Sequence, residues 1–391
     1  MKIAVIGVKG LPAKQGGIER YCEELYPRLV AQGHQVDLFA RPSYIEQPWF
    51  STSNYRGVRV ICLPSIPLRG VDALFCSAIA SIASILRNYD VVHFHALGPA
   101  LFSWLPRIAS SAKVIVTCQG LDWQRAKWGQ LSSKIIYWGE RNAVKYVHNL
   151  IVVSQDLKKY FATTYGLEAI YIPNGPGEFP ASNPAFEYVR SLNLTPKRYL
   201  LFLGRLVPEK RPDLLIQAFQ KLLPENWQLV FTGGISDTEK YAEYLRQLAK
   251  NNSDIIFTGE LQGKRLAEIV RGAGLFVLPS DLEGLPLVML EAMKEGIPVL
   301  ASDIPPHKQL IESDKGFLFQ AGNCDSFVEA MQQALEQPTM REERARKAQN
   351  HVLAYYNWEK ITSENLEVYQ RLVLGSSMSN TIQIDSSEPQ R

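Results

Sequence analysis

"YLLFLGRLVPEKRPDLLIQAF", residues 199–219, holds a strand, a loop and a helix in one short run. Tyr199–Leu206 is an apolar run of the kind buried on both faces of a parallel sheet. The loop after it carries Arg205 and Lys210 and leads into the helix. Two cations at the carboxyl end of a strand suit a diphosphate, arginine as a fork and lysine as a point charge. The same two residues also fit ordinary solvated surface charges.

The pattern of this stretch recurs along the chain. After it come Trp227–Gly234, Asp254–Glu260, Gly274–Ser280 and Ile297–Asp303, each a short apolar run with a helical segment between. Before it come Lys2–Gly7, His34–Ala40, Asp90–Ala96, Lys113–Gly120 and His148–Ser154. Strands separated by helices imply β-α-β units and parallel sheets. The two series are divided by "IPNGPGEFPASNP" (Ile172–Pro184), whose four prolines mark it as a linker. The expected fold is therefore α/β, with two Rossmann-like doubly wound domains. The first covers 1–175 and the second 185–356. A helix over about 357–374 packs back on the first, and a disordered tail covers 375–391. Ligands of such sheets bind at the carboxyl ends of the strands, so a cleft between two facing sheets is the expected site.

Bulk composition narrows the classes. The chain has 391 residues, 46% hydrophobic and 21% charged, which is ordinary for a soluble globular protein. Net charge is +3, split as +7 over residues 1–180 and −4 over the rest, far short of a nucleic-acid footprint. The five cysteines (Cys22, Cys62, Cys76, Cys118, Cys324) form no C-x-x-C, which argues for a reducing compartment and against a metal cluster. The start "MKIAVIGVKGLP" is no signal peptide. Val71–Leu86, the most apolar stretch, is too short to span a bilayer comfortably and reads as a buried or interfacial helix.

Chemistry concentrates in two further places. "SDLEGLPLVMLEAM" (Ser280–Met293) sets Glu283 in a turn and Glu291 beyond the first turn of a helix that Pro286 would open. Eight helical residues rise about 12 Å, too far for a shared proton or metal and close to the length of a ribose-linked sugar diphosphate. The N–H groups of the helix start lie between the two glutamates as an anion seat. Two solvated carboxylates near a helix end give the same spacing. The first strand ends "GVKGLPAKQGGIER", which is not G-x-G-x-x-G, and the next ends in Arg41 rather than an acid. A dinucleotide dehydrogenase is thereby disfavoured. Gly16 and Gly17, just before a helix, would let a backbone approach a ligand.

These pieces together resemble the retaining glycosyltransferases of family GT4, which have the GT-B fold. The resemblance rests on Gly16-Gly17-Ile18-Glu19, Ile172-Pro173-Asn174-Gly175, Gly204-Arg205-Leu206 with Lys210, and the E-x7-E motif from Glu283 to Glu291. "CQGLDWQRAKWG" (Cys118–Gly129) looks most like the rhamnosyltransferase-type subgroup of bacterial surface-polysaccharide enzymes. The resemblance implies that Glu291 binds the ribose hydroxyls, Glu283 the donor sugar, and Arg205 and Lys210 the diphosphate. Gly284, Leu285, Pro286 and Leu287 would add backbone contacts, and Gly16 and Gly17 would approach from the other domain. Breaking the C1–O bond makes an oxocarbenium-like sugar and a diphosphate, whose charge fixed donors stabilise. Front-face attack is the favoured course, with the departing phosphate taking the acceptor proton. No metal and no cofactor is expected, since no D-x-D is placed to bind one.

One position departs from the family pattern. Gln119 stands where a histidine usually lies near the donor sugar, and glutamine can hydrogen-bond but not titrate. His93 and His95, at the end of an earlier strand, read as structural. The donor implied is a nucleotide-sugar, a UDP-sugar favoured over a GDP- or dTDP-sugar. The acceptor is a glycan or lipid-linked molecule, and no nucleic acid is involved. Trp123, Arg125, Lys127, Trp128, Lys134, Tyr137, Trp138 and Arg141 interleave aromatics with cations, so peripheral membrane contact is one reading and plain helix packing the other. The expected place is the cytoplasm, with the inner membrane face as a contact. A nucleotide-sugar 2-epimerase of the same fold and a binding protein that has lost turnover are the alternative functions.

Overall fold

In a computed structural model the described residues are 1–379 without 15, 67, 69–70, 125–129, 236–238 and 313, with side chains described to residue 375. The chain divides into two compact units, Met1–Asn174 with Trp358–Arg391, and Gly175–Asn357.

The first unit runs β1 (Lys2–Ile6), α1 (Gly17–Ala31), β2 (Gln35–Ala40), α2 (Pro42–Ile45), β3 (Thr52–Tyr55), β4 (Val58–Cys62), α3 (Val71–Ile85), β5 (Val91–His95), α4 (Trp104–Ala109), β6 (Lys113–Cys118), α5 (Gln130–Tyr146), β7 (Asn149–Val152), α6 (Gln155–Tyr165) and β8 (Ile170–Tyr171). The second runs α7 (Glu187–Ser191), β9 (Tyr199–Leu203), α8 (Pro212–Leu222), β10 (Gln228–Thr232), α9 (Glu239–Ala249), β11 (Ile255–Gly259), α10 (Gly263–Gly272), β12 (Leu275–Leu278), α11 (Leu287–Lys294), β13 (Val299–Ser302), α12 (Pro305–Ile311), β14 (Phe317–Phe319), α13 (Cys324–Glu336) and α14 (Pro338–Tyr355). The last helix, α15 (Trp358–Ser379), belongs to the first unit again.

The first sheet has the order β3-β4-β2-β1-β5-β6-β7-β8, all parallel except the β3–β4 hairpin. The second has the order β11-β10-β9-β12-β13-β14, all parallel. In chain order that second sheet reads 3-2-1-4-5-6, the doubly wound arrangement whose ligand crevice opens where the strand order reverses. Here the reversal lies between β9 and β12, which pair directly through Leu200 and Leu275. Strands β9 and β12 are buried throughout, which is why each reads as an unbroken apolar run.

The core of the first unit is closed by α15. Trp358, Ile361 and Tyr369 are buried among Tyr21, Leu25 and Tyr26 of α1. Side chains of this size contribute about 1.5–3 kcal/mol each on burial, so α15 is a structural member of a unit whose other elements lie far upstream. Its contacts are also polar: the Tyr369 hydroxyl meets His93 Nδ1 at 2.7 Å, and Tyr21 donates to Asn365 Oδ1 at 3.1 Å.

Two expectations change. The proline-rich linker is tied into the second unit from Gly175 onward, because Arg271 donates to the Pro180 carbonyl and Ser182 hydroxyl at 2.7 and 2.9 Å. Prolines cannot continue a helix, but their carbonyls remain good acceptors for a nearby guanidinium. The stretch expected to be disordered from Gly375 is helical as far as Ser379. Residues 375–379 hold no proline, and one glycine costs a helix only about 1 kcal/mol. Residues 380–391 of that tail, and Arg125, Lys127 and Trp128, lie outside the described residues.

Candidate active site

The loops that leave β9 and β12 are neighbours at the switch point of the second sheet. Three ties join them. Arg211 Nη1 donates to Asp281 Oδ2 at 3.1 Å, the Asp281 amide donates to the Glu209 carbonyl at 2.9 Å, and Lys210 Nζ donates to Glu283 Oε1 at 2.7 Å. Lys210 ends a single 3-10 turn, Pro208–Lys210. Its stem lies over Gly204, where a Cβ would stand 3.4 Å from Lys210 Cδ. Arg205 opens the same loop, half-buried.

Lys210 and Glu283 are only 14% and 13% exposed, so this ion pair is largely withdrawn from water. Burial alone would raise the Glu283 carboxyl. The Lys210 charge and hydrogen bond, the neighbouring His307 and the Ser280 hydroxyl at 2.9 Å outweigh it and hold the carboxyl below the usual range. Glu283 is therefore a fixed negative charge at neutral pH, with a cation beside it.

His307, which spacing did not single out, belongs to the same cluster. It sits on α12 after β13, fully buried. Ser302 Oγ gives its one proton to the Ser280 carbonyl at 2.5 Å. Toward His307 Nδ1, at 3.1 and 3.0 Å, both Ser302 oxygens can then only accept. Nδ1 must carry the ring proton, and Nε2 is left as a lone pair, buried and without a hydrogen-bond partner among the described residues. Burial, with some help from Lys210, pulls the His307 pKa down to about 4 against the Glu283 charge and the Ser302 carbonyl, which raise it. The imidazole is neutral at pH 7. Glu209 Oε1 is a second buried acceptor without a partner among the described residues.

Glu291 lies in α11 and is 2% exposed, so it is no solvated surface charge. Gly284, Leu285 and Pro286 are buried and lead into the helix. Pro286 caps α11 rather than opening it. Its ψ of 95° is extended, and its carbonyl accepts from the Met289 and Leu290 amides at 3.0 and 3.2 Å. An N-cap residue takes the first helical bonds while standing outside the helix itself, and Leu287 becomes the first helical residue. Met289 is buried in α11, whereas Leu287 and Val288 are only partly covered.

In the first unit Gly16 caps α1 at φ 102°, a backbone few L-residues adopt, and Gly17 is the first helical residue. A Cβ on Gly16 would stand 2.1 Å from Glu19 Oε2. Glu19 is buried and accepts from the Lys9 amide at 3.1 Å, so it ties the loop after β1 to the start of α1. Gln119 follows β6 and is partly exposed. Its amide forms a two-way pair with the buried Asn174: Nδ2 of Asn174 donates to Gln119 Oε1 at 2.7 Å, and Nε2 of Gln119 donates back at 3.4 Å. His93 and His95 are both buried. Thr117 Oγ1 lies 2.7 Å from His93 Nε2, and the Tyr26 hydroxyl 2.6 Å from His95 Nε2. Burial lowers both pKa values, that of His95 to about 3. They are neutral members of the core network that α15 joins.

Two doubly wound units in one chain are the architecture of the GT-B fold, and charged loops at the switch point of one of them make that point the candidate ligand site. Residues 15–176 match the family model "Glycosyltransferase Family 4", and residues 186–351 match "Glycosyl transferases group 1". An uncharacterised glycosyltransferase of Methanocaldococcus jannaschii is 27% identical, covering 95% of this chain and 98% of its own. A D-inositol 3-phosphate glycosyltransferase of Rhodococcus erythropolis is 24% identical, covering 95% and 91%. Among solved structures, sucrose-phosphate synthase from Thermosynechococcus elongatus matches with a TM-score of 0.82 at 23% identity, over 96% of this chain and 99% of that one. Anabaena HepE in complex with UDP matches with a TM-score of 0.75 at 18% identity, over 94% and 99%. The chain is a GT4-like glycosyltransferase with the GT-B fold.

Proposed function

We propose that this glycosyltransferase retains configuration while moving a hexose from a nucleoside-diphosphate sugar to a glycan or lipid-linked acceptor in surface-polysaccharide synthesis. The subgroup read from Cys118–Gly129 is the rhamnosyltransferase type. The observation that carries the reading is the largely buried Lys210–Glu283 pair at the ends of two adjacent strands. A cation and an anion fixed there meet the two charges that separate as C1–O breaks: the diphosphate gains negative charge and the sugar becomes oxocarbenium-like. In this reading Lys210 and Arg205 receive the diphosphate and Glu283 accepts hydroxyls of the donor sugar, with the buried His307 as the polar neighbour behind Glu283. Glu291 accepts the ribose hydroxyls. The preset donors Lys210 and Arg205 lower the barrier without reorganising during the reaction. The leaving phosphate takes the acceptor proton, and turnover proceeds without a divalent cation. A UDP-sugar is the first donor to try, because HepE was solved with UDP and with UDP-glucose.

The test is transfer from a panel of nucleotide-sugars, in EDTA and with Mg²⁺. Donor consumed without a glycosylated product and with a changed sugar would point to the 2-epimerase instead. Binding without any conversion would point to a protein that has lost turnover. Activity abolished by EDTA and restored by Mg²⁺ would overturn the charge assignment.

Glu291→Ala is expected to weaken binding of the free nucleoside diphosphate by roughly 1–3 kcal/mol through lost hydrogen bonds to the ribose. Calorimetric titration of wild type and variant decides it, and equal affinities would remove Glu291 from the site. Gln119→His is expected to fold and stay active, since both side chains offer a hydrogen bond. Gln119→Ala removes the partner of a buried Asn174 amide, which costs about 1–3 kcal/mol. It is expected to lose turnover while keeping nucleotide affinity. Wild-type turnover in Gln119→Ala would make the residue a loop support only.

A further inference from the structure

The outer side of three adjacent helices in the first unit is apolar and basic at once. Helix α4 packs against both α3 and α5, so the three form one continuous face. Eight of the 19 exposed large apolar side chains among the described residues fall on these three helices, which hold 38 residues. A soluble monomer usually scatters such residues singly. Here they are phased: Phe75 and Ile82 on α3, Trp104 and Ile108 on α4, Leu131 and Trp138 on α5, each pair four or seven residues apart and on one helical side. Ile108, Leu131 and Trp138 are 69%, 74% and 59% exposed.

The charges on the same helices have one sign outward. Arg107, Lys134, Arg141 and Lys145 are exposed. The two acids of α3–α5 are both engaged within the protein. Asp72 is paired with Arg41 at 3.1 Å, and Glu140 is fully buried, accepting from Trp123, Tyr160 and Tyr165 at 2.8, 2.8 and 2.6 Å. On α5 Leu131, Lys134, Trp138, Arg141 and Lys145 run down one side, two apolar anchors among three cations. Tryptophan favours the headgroup level of a bilayer, and lysine and arginine are drawn to anionic lipid. No helix among the described residues is long and apolar enough to cross a membrane, so this face would lie on the surface.

We propose that the α3–α4–α5 face docks the enzyme on a bilayer containing anionic lipid. The full chain is sedimented with phosphatidylcholine vesicles, with and without phosphatidylglycerol, at low and high salt. Binding is expected only with the anionic lipid and falls at high salt. Each cation removed lowers the partition about fivefold, so Lys134→Glu with Arg141→Glu reduces it by at least about 25-fold. Trp138→Ser and Ile108→Ser weaken binding at every salt concentration. All four positions are exposed, and unchanged melting temperatures confirm that the variants are folded. Equal binding to neutral vesicles, no binding, or full binding by the charge-reversed variant overturns the proposal. So does a concentration-dependent dimer abolished by Trp138→Ser, which would make the face a contact between copies.

Discussion

Lys210→Ala is expected to lower kcat by about 100-fold or more, the scale seen when one preset donor to a developing charge is removed. It also leaves Glu283 as a largely buried carboxylate without its cation. Removing one partner of a fully buried pair costs about 3–5 kcal/mol, and the slight exposure here places the loss near the lower end. The pH dependence separates this loss from a simple packing defect. In the wild type the Glu283 carboxyl lies below its usual range. Its contribution to stability is then complete above the unfolded-state value and is lost as pH falls through the folded one. Without Lys210, burial raises the carboxyl instead, and the variant is penalised as pH rises through the usual glutamate range. The stability gap between wild type and variant is therefore full at neutral pH and closes on acidification, as urea titrations at several pH values would read. Lys210→Met, which keeps a stem over Gly204, should show the same closing gap. A gap independent of pH, or an unchanged kcat, would rule out the paired charge.

His307→Phe is expected to lower kcat by about tenfold, on the scale of one lost polar contact, while leaving affinity for the free nucleoside diphosphate unchanged, because it removes the buried polar neighbour of Glu283. His307→Gln keeps an acceptor oxygen and should recover part of the rate. The folded pKa of about 4 lies below the usual 6.5, so the unfolded chain binds a proton that the folded one refuses between those values. Wild-type stability falls through that window on acidification, and the two variants lose this slope while the buried first-unit histidines retain theirs. If Phe and Gln give the same turnover as histidine, the ring only fills space beneath Ser280.

The strands and the charged loops were legible because burial on both faces leaves an apolar run, and because those loops follow the runs directly. Spacing placed Glu283, Glu291, Arg205 and Lys210 on the right elements for that reason. It could not show that Glu283 and Lys210 pair, since they lie 73 positions apart and meet only through the β9–β12 register. His307 escaped because "SDIPPHKQ" shows a histidine one turn into a helix and nothing about its burial. Its signal was its place after the next strand of the same sheet edge, β13. The β3–β4 hairpin also escaped. Its turn uses Arg56 and Gly57, both at positive φ, where Asn-Gly or Asp-Gly gives the familiar cue. Pro286 shows the usual limit at boundaries: a proline at N1 and one at the N-cap look alike until ψ is known.

The return of α15 to the first unit has a consequence for biosynthesis. A ribosome releases β1 to β8 first, yet Tyr26, His93 and the surrounding core wait for Tyr369. Between them comes the whole second unit, residues 175–357, which is contiguous and can complete its own sheet without α15. At about 5–20 residues per second, that insertion takes roughly 10–40 s to emerge. During this interval the nascent first unit exposes the apolar seat of its missing helix. Chaperone capture would therefore be concentrated on the amino-terminal half, and release would coincide with the last turns of the chain.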